Sequence, residues 1–127
     1  MYTFKKEERL CNKKLIETLF HNGSSFLCYP FKVSWLVDDG PGQFPAKIVL
    51  SVPKRRFKRA VDRNLIKRLT REAYRLNKQK LLYDQLTLSK KKIVFSLAYI
   101  GKELPDNDLI GKKMARLLKQ LSDEIAK

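Results

Sequence analysis

Between Lys54 and Arg75 the chain reads KRRFKRAVDRNLIKRLTREAYR, ten basic residues against two acidic ones, Asp62 and Glu72. At about 100° per residue, Val61, Leu65, Ile66, Leu69, Ala73 and Leu76 gather in one arc of roughly 140°. Arg59, Arg63, Lys67 and Arg71, spaced by four, run through the opposite arc, flanked by Asn64, Arg68 and Arg75. The spacing predicts the longest helix of the chain over about 57–77. Such a helix cannot stand alone, because its apolar arc must be covered while its cations stay in water.

Exposed helix faces usually mix signs, since like charges at i,i+4 cost a few tenths of a kcal/mol each. A single-sign row suits a polyanion instead: guanidinium forks hold two phosphate oxygens each, and displaced counterions add favourable entropy. The net charge is +15 with a pI near 10.0, and ten cations against two anions place +8 of it in this stretch. An enzyme for acidic small molecules is disfavoured. A lipid-surface helix would need bulky apolar residues free to enter the bilayer, whereas this apolar arc is small and aliphatic. A DNA recognition helix carries polar side chains that read base edges. Here only Asn64 is of that kind, which favours backbone and shape recognition of RNA.

With 127 residues, 43% hydrophobic, the chain suits one domain spanning 1–127. No apolar run approaches the roughly 18–20 residues of a membrane span, and the start, MYTFKKEERL, lacks the apolar stretch of a secretory signal. No membrane partner and a cytoplasmic location are therefore expected. Cys11 and Cys28 lack paired spacing and read as reduced thiols.

Around the basic helix the pattern predicts a short helix over 12–23, capped by Asn12 and ended by Gly23, with Leu15, Ile16, Leu19 and Phe20 as its stripe. The segment 25–37 is extended, with Phe31, Val33, Trp35 and Val37 on one face and Pro30 breaking it into two strands or marking an edge. A loop over 38–45 precedes a strand over 47–52. A further strand spans about 90–99, and a closing helix spans 105–127. Ile110, Met114, Leu117, Leu118, Leu121 and Ile125 form its stripe, with Asp106 or Asn107 as cap. The order α-β-β-β-α-β-α implies an α+β class: an α-β sandwich on a small mixed sheet.

Several residues admit plainer readings. His21 suits a helix end satisfied by solvent or a carbonyl, Asp38-Asp39-Gly40 suits a turn, and Asp106-Asn107-Asp108 suits capping rather than a calcium loop. No Ser-His-Asp or Cys-His set, Walker loop or carboxylate cluster appears, so no catalytic residue and no metal ligand is assigned.

The run AVxRNxxKRxxRE, here Ala60, Val61, Arg63, Asn64, Lys67, Arg68, Arg71 and Glu72, preceded by SVPKR at 51–55, resembles the protein component of bacterial ribonuclease P. The resemblance extends through Arg9-Leu10, Leu19-Phe20, Gly23 and Phe31, covering about 5–77 by motif and the remainder by element order. It implies a left-handed β-α-β crossover through the basic helix, where general rules would give a right-handed one. It also implies that Lys54, Arg55, Arg56, Lys58, Arg59, Arg63, Asn64, Lys67, Arg68 and Arg71 bind a catalytic RNA. A cleft between the first helix and the sheet, with Ile16, Phe20, Phe31 and Ser34, would hold the 5′ leader of precursor tRNA. The protein would be the subunit of an endoribonuclease whose chemistry lies in the RNA, with Mg²⁺ held mainly by that RNA, no organic cofactor, and one protein per RNA. Two positions depart from the family: Leu65 replaces the third residue of an Arg-Asn-Arg triplet, leaving its contact to Arg59 or Arg68, and Ile16 and Ser34 replace cleft aromatics, leaving stacking to Trp35 or Tyr29. The residues alone also fit a ribosomal or ribosome-assembly RNA-binding protein with a similar sandwich.

Overall fold

The computed structural model describes residues 8–9, 13–38 and 45–126, so Cys11, the Asn12 cap, and Asp39 and Gly40 of the loop lie outside the described residues. Its elements are α1 (Lys13–Asn22), β1 (Ser24–Cys28), β2 (Phe31–Val37), β3 (Ala46–Ser51), α2 (Ala60–Lys78), a π-helical turn (Gln79–Tyr83), α3 (Asp84–Ser89), β4 (Ile93–Tyr99) and α4 (Asn107–Ala126).

Pro30 divides the extended segment, and β1 and β2 form an antiparallel hairpin around Tyr29–Pro30, a cis peptide. The sheet order is β1-β2-β4-β3, with β2 antiparallel and β3 parallel to β4. Residues opposite one another share a face. One face therefore carries Phe31 and Val33 of β2, Ile93, Phe95, Leu97 and Tyr99 of β4, and Ala46 and Ile48 of β3. These pack with α2 and α4 in the main core. Trp35 is only partly buried and Val37 is exposed, so the apolar face of β2 fades toward its end.

The opposite face presents Leu36, Val94 and Val49 to α1, whose Leu19 is fully buried and whose Leu15 and Ile16 pack beside it. Gly23 ends α1 with its N–H donating to the Leu19 carbonyl at 2.9 Å. A Cβ there would stand 2.4 Å from Leu19 O and 2.8 Å from Trp35 O, so only glycine fits where helix and strand meet. The sheet is thus held between α1 and the α2/α4 pair.

In α4 all six stripe residues are buried, and Leu109 N–H donates to Asp106 Oδ1 at 2.7 Å, identifying Asp106 as the cap. At about 1.5–3 kcal/mol per buried aliphatic side chain, this stripe outweighs the tenths that helix propensity contributes.

The basic helix departs from its expected bounds. It begins at Ala60, and the helical path continues beyond Lys78 through the π turn and α3, burying Leu82, Tyr83 and Leu86. It stops at Lys90, in the left-handed region at φ 56°, where a glycine would have been the usual signal. At the β3 edge Arg9 bridges to Ile48 in parallel, and Glu8 is buried against Lys78 and Tyr83. No described helix is long and apolar enough to cross a membrane.

Candidate nucleic-acid interface

The basic surface begins in the turn that leads from β3 into α2. Pro53 O accepts the N–H groups of Arg56 and Phe57 at 3.3 and 3.2 Å, and the buried Phe57 ring lies 5.7 Å from the Tyr99 ring. Burial, with Tyr29 adding, pushes the Tyr99 phenol up to about 12, and its hydroxyl donates to Glu103 O at 2.6 Å. Lys54, Arg55, Arg56, Lys58 and Arg59 are exposed around this anchored turn. The N-cap, Arg59, supplies no side-chain acceptor, and five cations crowd the positive end of the helix dipole. That placement costs the helix about 0.3–1 kcal/mol per charge within its first turn, so helix stability does not account for it.

Along α2 the buried residues are Ile66, Leu69, Thr70, Ala73, Tyr74 and Lys78. Val61, at 66% exposure, and Leu76 lie outside the core, contrary to the aliphatic arc read from the sequence, and Leu65 is half-buried. The helix is turned by roughly 90° from that reading at 100° per residue. Three polar residues cause the difference, each satisfied in the interior. Thr70 Oγ1 donates to Ile66 O at 2.7 Å, Tyr74 packs on Phe95 with ring centres 5.8 Å apart, and Lys78 pairs with Glu8 beneath the rings of Tyr74 and Tyr83. Burial pushes both phenols above the ordinary tyrosine range.

This turn relocates the expected contacts. Asn64 and Arg68 point outward, whereas Arg63, Lys67 and Arg71 lie half-buried on the shoulder. Arg63 uses its guanidinium on the Phe57 and Lys58 carbonyls at 2.8 and 2.9 Å, and Arg56 donates to Ile100 O. Glu72 is taken by Arg75, whose Nε donates to it at 3.3 Å. The hydrogen bonds from Arg75, with Arg68 contributing, hold its carboxyl below the usual range. Lys54, Arg55, Lys58, Arg59, Lys67, Arg68 and Arg71 make no ion pair among the described residues. The surface is therefore strongly positive in three dimensions as well as in the chain, its exposed carboxylate Glu72 being engaged by Arg75.

A second feature lies across the sheet. Register puts Ser25, Ser34 and Ser96 in one row and Leu27, Lys32 and Ala98 in the next, on the face that α1 covers only toward Leu36 and Val94. Ile16 borders this floor, half-buried, and Phe20, one turn on, is 58% exposed. Phe20 stands exposed on α1, and Ile16 and Ser34 share this face of the sheet. Phe31 does not: strand alternation sends its ring to the opposite face, where it is 1% exposed and meets Tyr99 edge-on at 5.6 Å. Trp35 shares that core-side face, while Tyr29 is exposed at the hairpin. Leu27 and Lys32 were passed over in the sequence; the alternation that sets Phe31 inward already turned Lys32 and Ser34 the other way. His21 is exposed at the end of α1, and Cys28 is a buried free thiol. Among the described residues no three His, Cys, Asp or Glu side chains gather into a metal-binding group.

The chain is similar to known proteins in sequence and in fold. The sequence model of the family described as Ribonuclease P matches residues 4–122. A Ribonuclease P protein component of Porphyromonas gingivalis is 37% identical over 122 residues, covering 94% of this chain and 87% of that one. Among solved structures, the RNase P protein of Thermotoga maritima superposes with a TM-score of 0.70 at 24% identity, covering 89% of this chain and 96% of that one. The RNase P protein of Staphylococcus aureus does so with a TM-score of 0.68 at 21% identity, covering 90% and 94%. These last two likenesses are of fold.

Proposed function

The chain belongs to the ribonuclease P protein family, and on that premise we propose that it is the protein subunit of a ribonuclease P. It binds the catalytic RNA through the turn before α2 and the outward side of that helix. It guides the 5′ leader of precursor tRNA along the groove between α1 and the sheet. The complex removes the leader and leaves the mature tRNA 5′ end, with one protein per RNA, in the cytoplasm. The observation that carries this reading is the set of seven cations between Lys54 and Arg71 that make no ion pair among the described residues.

The chemistry belongs to the RNA. Water activation there calls for Mg²⁺, and the chain's described residues do not fit the ion: no three carboxylate, His or Cys groups converge, and Glu72 is engaged by Arg75. The protein's part is to bind and orient. Its guanidinium and ammonium groups lower the repulsion between two polyanions and so lessen the Mg²⁺ that assembly demands. Ser25 and Ser34 offer hydroxyls to a backbone from this floor, and Phe20 is exposed on α1 for a base to stack on.

The test is reconstitution. With a bacterial ribonuclease P RNA at low Mg²⁺, the protein is expected to stimulate cleavage of precursor tRNA to a 5′-phosphorylated product. Structured-RNA binding without stimulation would instead indicate a ribosome-type RNA-binding protein, and cleavage without added RNA subunit would indicate a protein nuclease.

A further inference from the structure

The cations around the start of α2 do two different jobs. Arg56 and Arg63 are the two whose guanidinium groups are bonded, and both bond to backbone carbonyls: Arg56 to Ile100 O, Arg63 to Phe57 O at 2.8 Å and Lys58 O at 2.9 Å. Lys54, Arg55, Lys58 and Arg59 are exposed, with no side-chain hydrogen bond or ion pair among the described residues. Five cations within the six positions 54–59 repel one another, and left to themselves they would spread the turn.

Four anchors oppose that spreading: the N–H bonds to Pro53 O, the Phe57 ring against Tyr99, Arg56 on the β4 end, and Arg63 reaching back from the first turn of α2. A carboxylate could have served as anchor, but it would have cancelled charge. A carbonyl accepts the guanidinium N–H and leaves the full positive field in place. We infer that Arg56 and Arg63 are positioning residues that lock the 53–59 turn, and that Lys54, Arg55, Lys58 and Arg59 are the groups that meet phosphate there. A turn ordered before binding loses less conformational freedom when RNA arrives, so the clasp raises affinity without itself displacing counterions. The inference rests on the RNA-binding reading above and divides its contact set.

The experiment combines two measurements on Arg63→Met, which keeps the stem and removes the donor, and on Arg59→Met as comparator. In the free protein, hydrogen exchange of the Arg56 and Phe57 amides is expected to quicken in Arg63→Met, with β4 unchanged, and to stay at wild-type rates in Arg59→Met. Affinity for an in vitro transcribed bacterial ribonuclease P RNA is then followed against KCl. Arg63→Met is expected to lose roughly three- to tenfold, the scale of one lost hydrogen-bond anchor, at the wild-type log–log slope. Arg59→Met is expected to flatten the slope by about 0.7–0.9. Should Arg63→Met fail to fold, Arg56→Met tests the same clasp from the β4 side. A slope flattened by Arg63→Met, or unaltered exchange in the turn, overturns the inference alone. Wild-type binding that ignores salt overturns the functional reading and this inference with it.

Discussion

Helices α2 and α4, of 19 and 20 residues, lie against each other on the same face of the sheet, yet their solvent sides obey different rules. The outer side of α4 carries Lys112, Arg116 and Lys119 with Asp108 and Asp123 at i,i+4 spacing from the terminal lysines, the mixture that keeps an exposed helix soluble without attracting a partner. On α2 and its leading turn, two carboxylates stand among ten cations, and Glu72 is already taken by Arg75. Two helices of like size and like neighbours thus show what packing alone demands, and the excess on α2 is what packing does not demand. Their inner sides differ in the same direction. The α4 stripe is wholly apolar, whereas α2 buries Thr70, Tyr74 and Lys78, each supplied with a partner.

The largest expected effect lies on that polar inner side. Glu8→Ala removes the carboxylate paired with the buried Lys78 ammonium and should cost about 3–5 kcal/mol in urea unfolding; a loss below about 1 kcal/mol would mean that the pair is not the anchor described. On the apolar inner side, Leu117→Ala should cost about 2–5 kcal/mol. Its counterpart Val61→Ala on α2, inside the aliphatic arc yet exposed, should stay within about 0.5 kcal/mol, and equal losses would restore the orientation read from the sequence.

Alkaline titration sharpens the contrast further. Tyr74, Tyr83 and Tyr99 are acids whose ionisation the fold opposes, chiefly through burial. The stability they supply is complete below pH 10, where unfolded tyrosines are still neutral, and drains away as pH climbs from 10 toward 12. Phenolate absorbance should therefore rise together with unfolding over that interval. A smooth titration of all five tyrosines near pH 10 in a folded chain would contradict their burial.

Much of this was legible beforehand, for identifiable reasons. The α4 stripe, a cap at Asp106 or Asn107 and the Gly23 stop could be read because aliphatic spacing and small-residue chemistry are local. The rotation of α2 could not, because what draws Tyr74 and Lys78 inward is Phe95 on β4 and Glu8 far back in the chain. The π turn and α3 were missed because Lys90, not glycine, closes them. At the candidate site the sequence offers ten basic and polar positions as one set. Their division into outward, shoulder and clasping residues needed coordinates, as did the removal of Phe31 from the groove, a matter of which face of β2 turns to the core.

The most direct test of a functional cationic surface is the salt dependence of binding to a bacterial ribonuclease P RNA by two triple variants. One is Lys67→Ala, Arg68→Ala and Arg71→Ala on α2; the other is Lys112→Ala, Arg116→Ala and Lys119→Ala on α4. The α2 variant should flatten the log–log slope by up to about 2 to 3, with the fold retained, and the α4 variant should leave it where it was. Equal flattening by both, or by neither, would contradict the account.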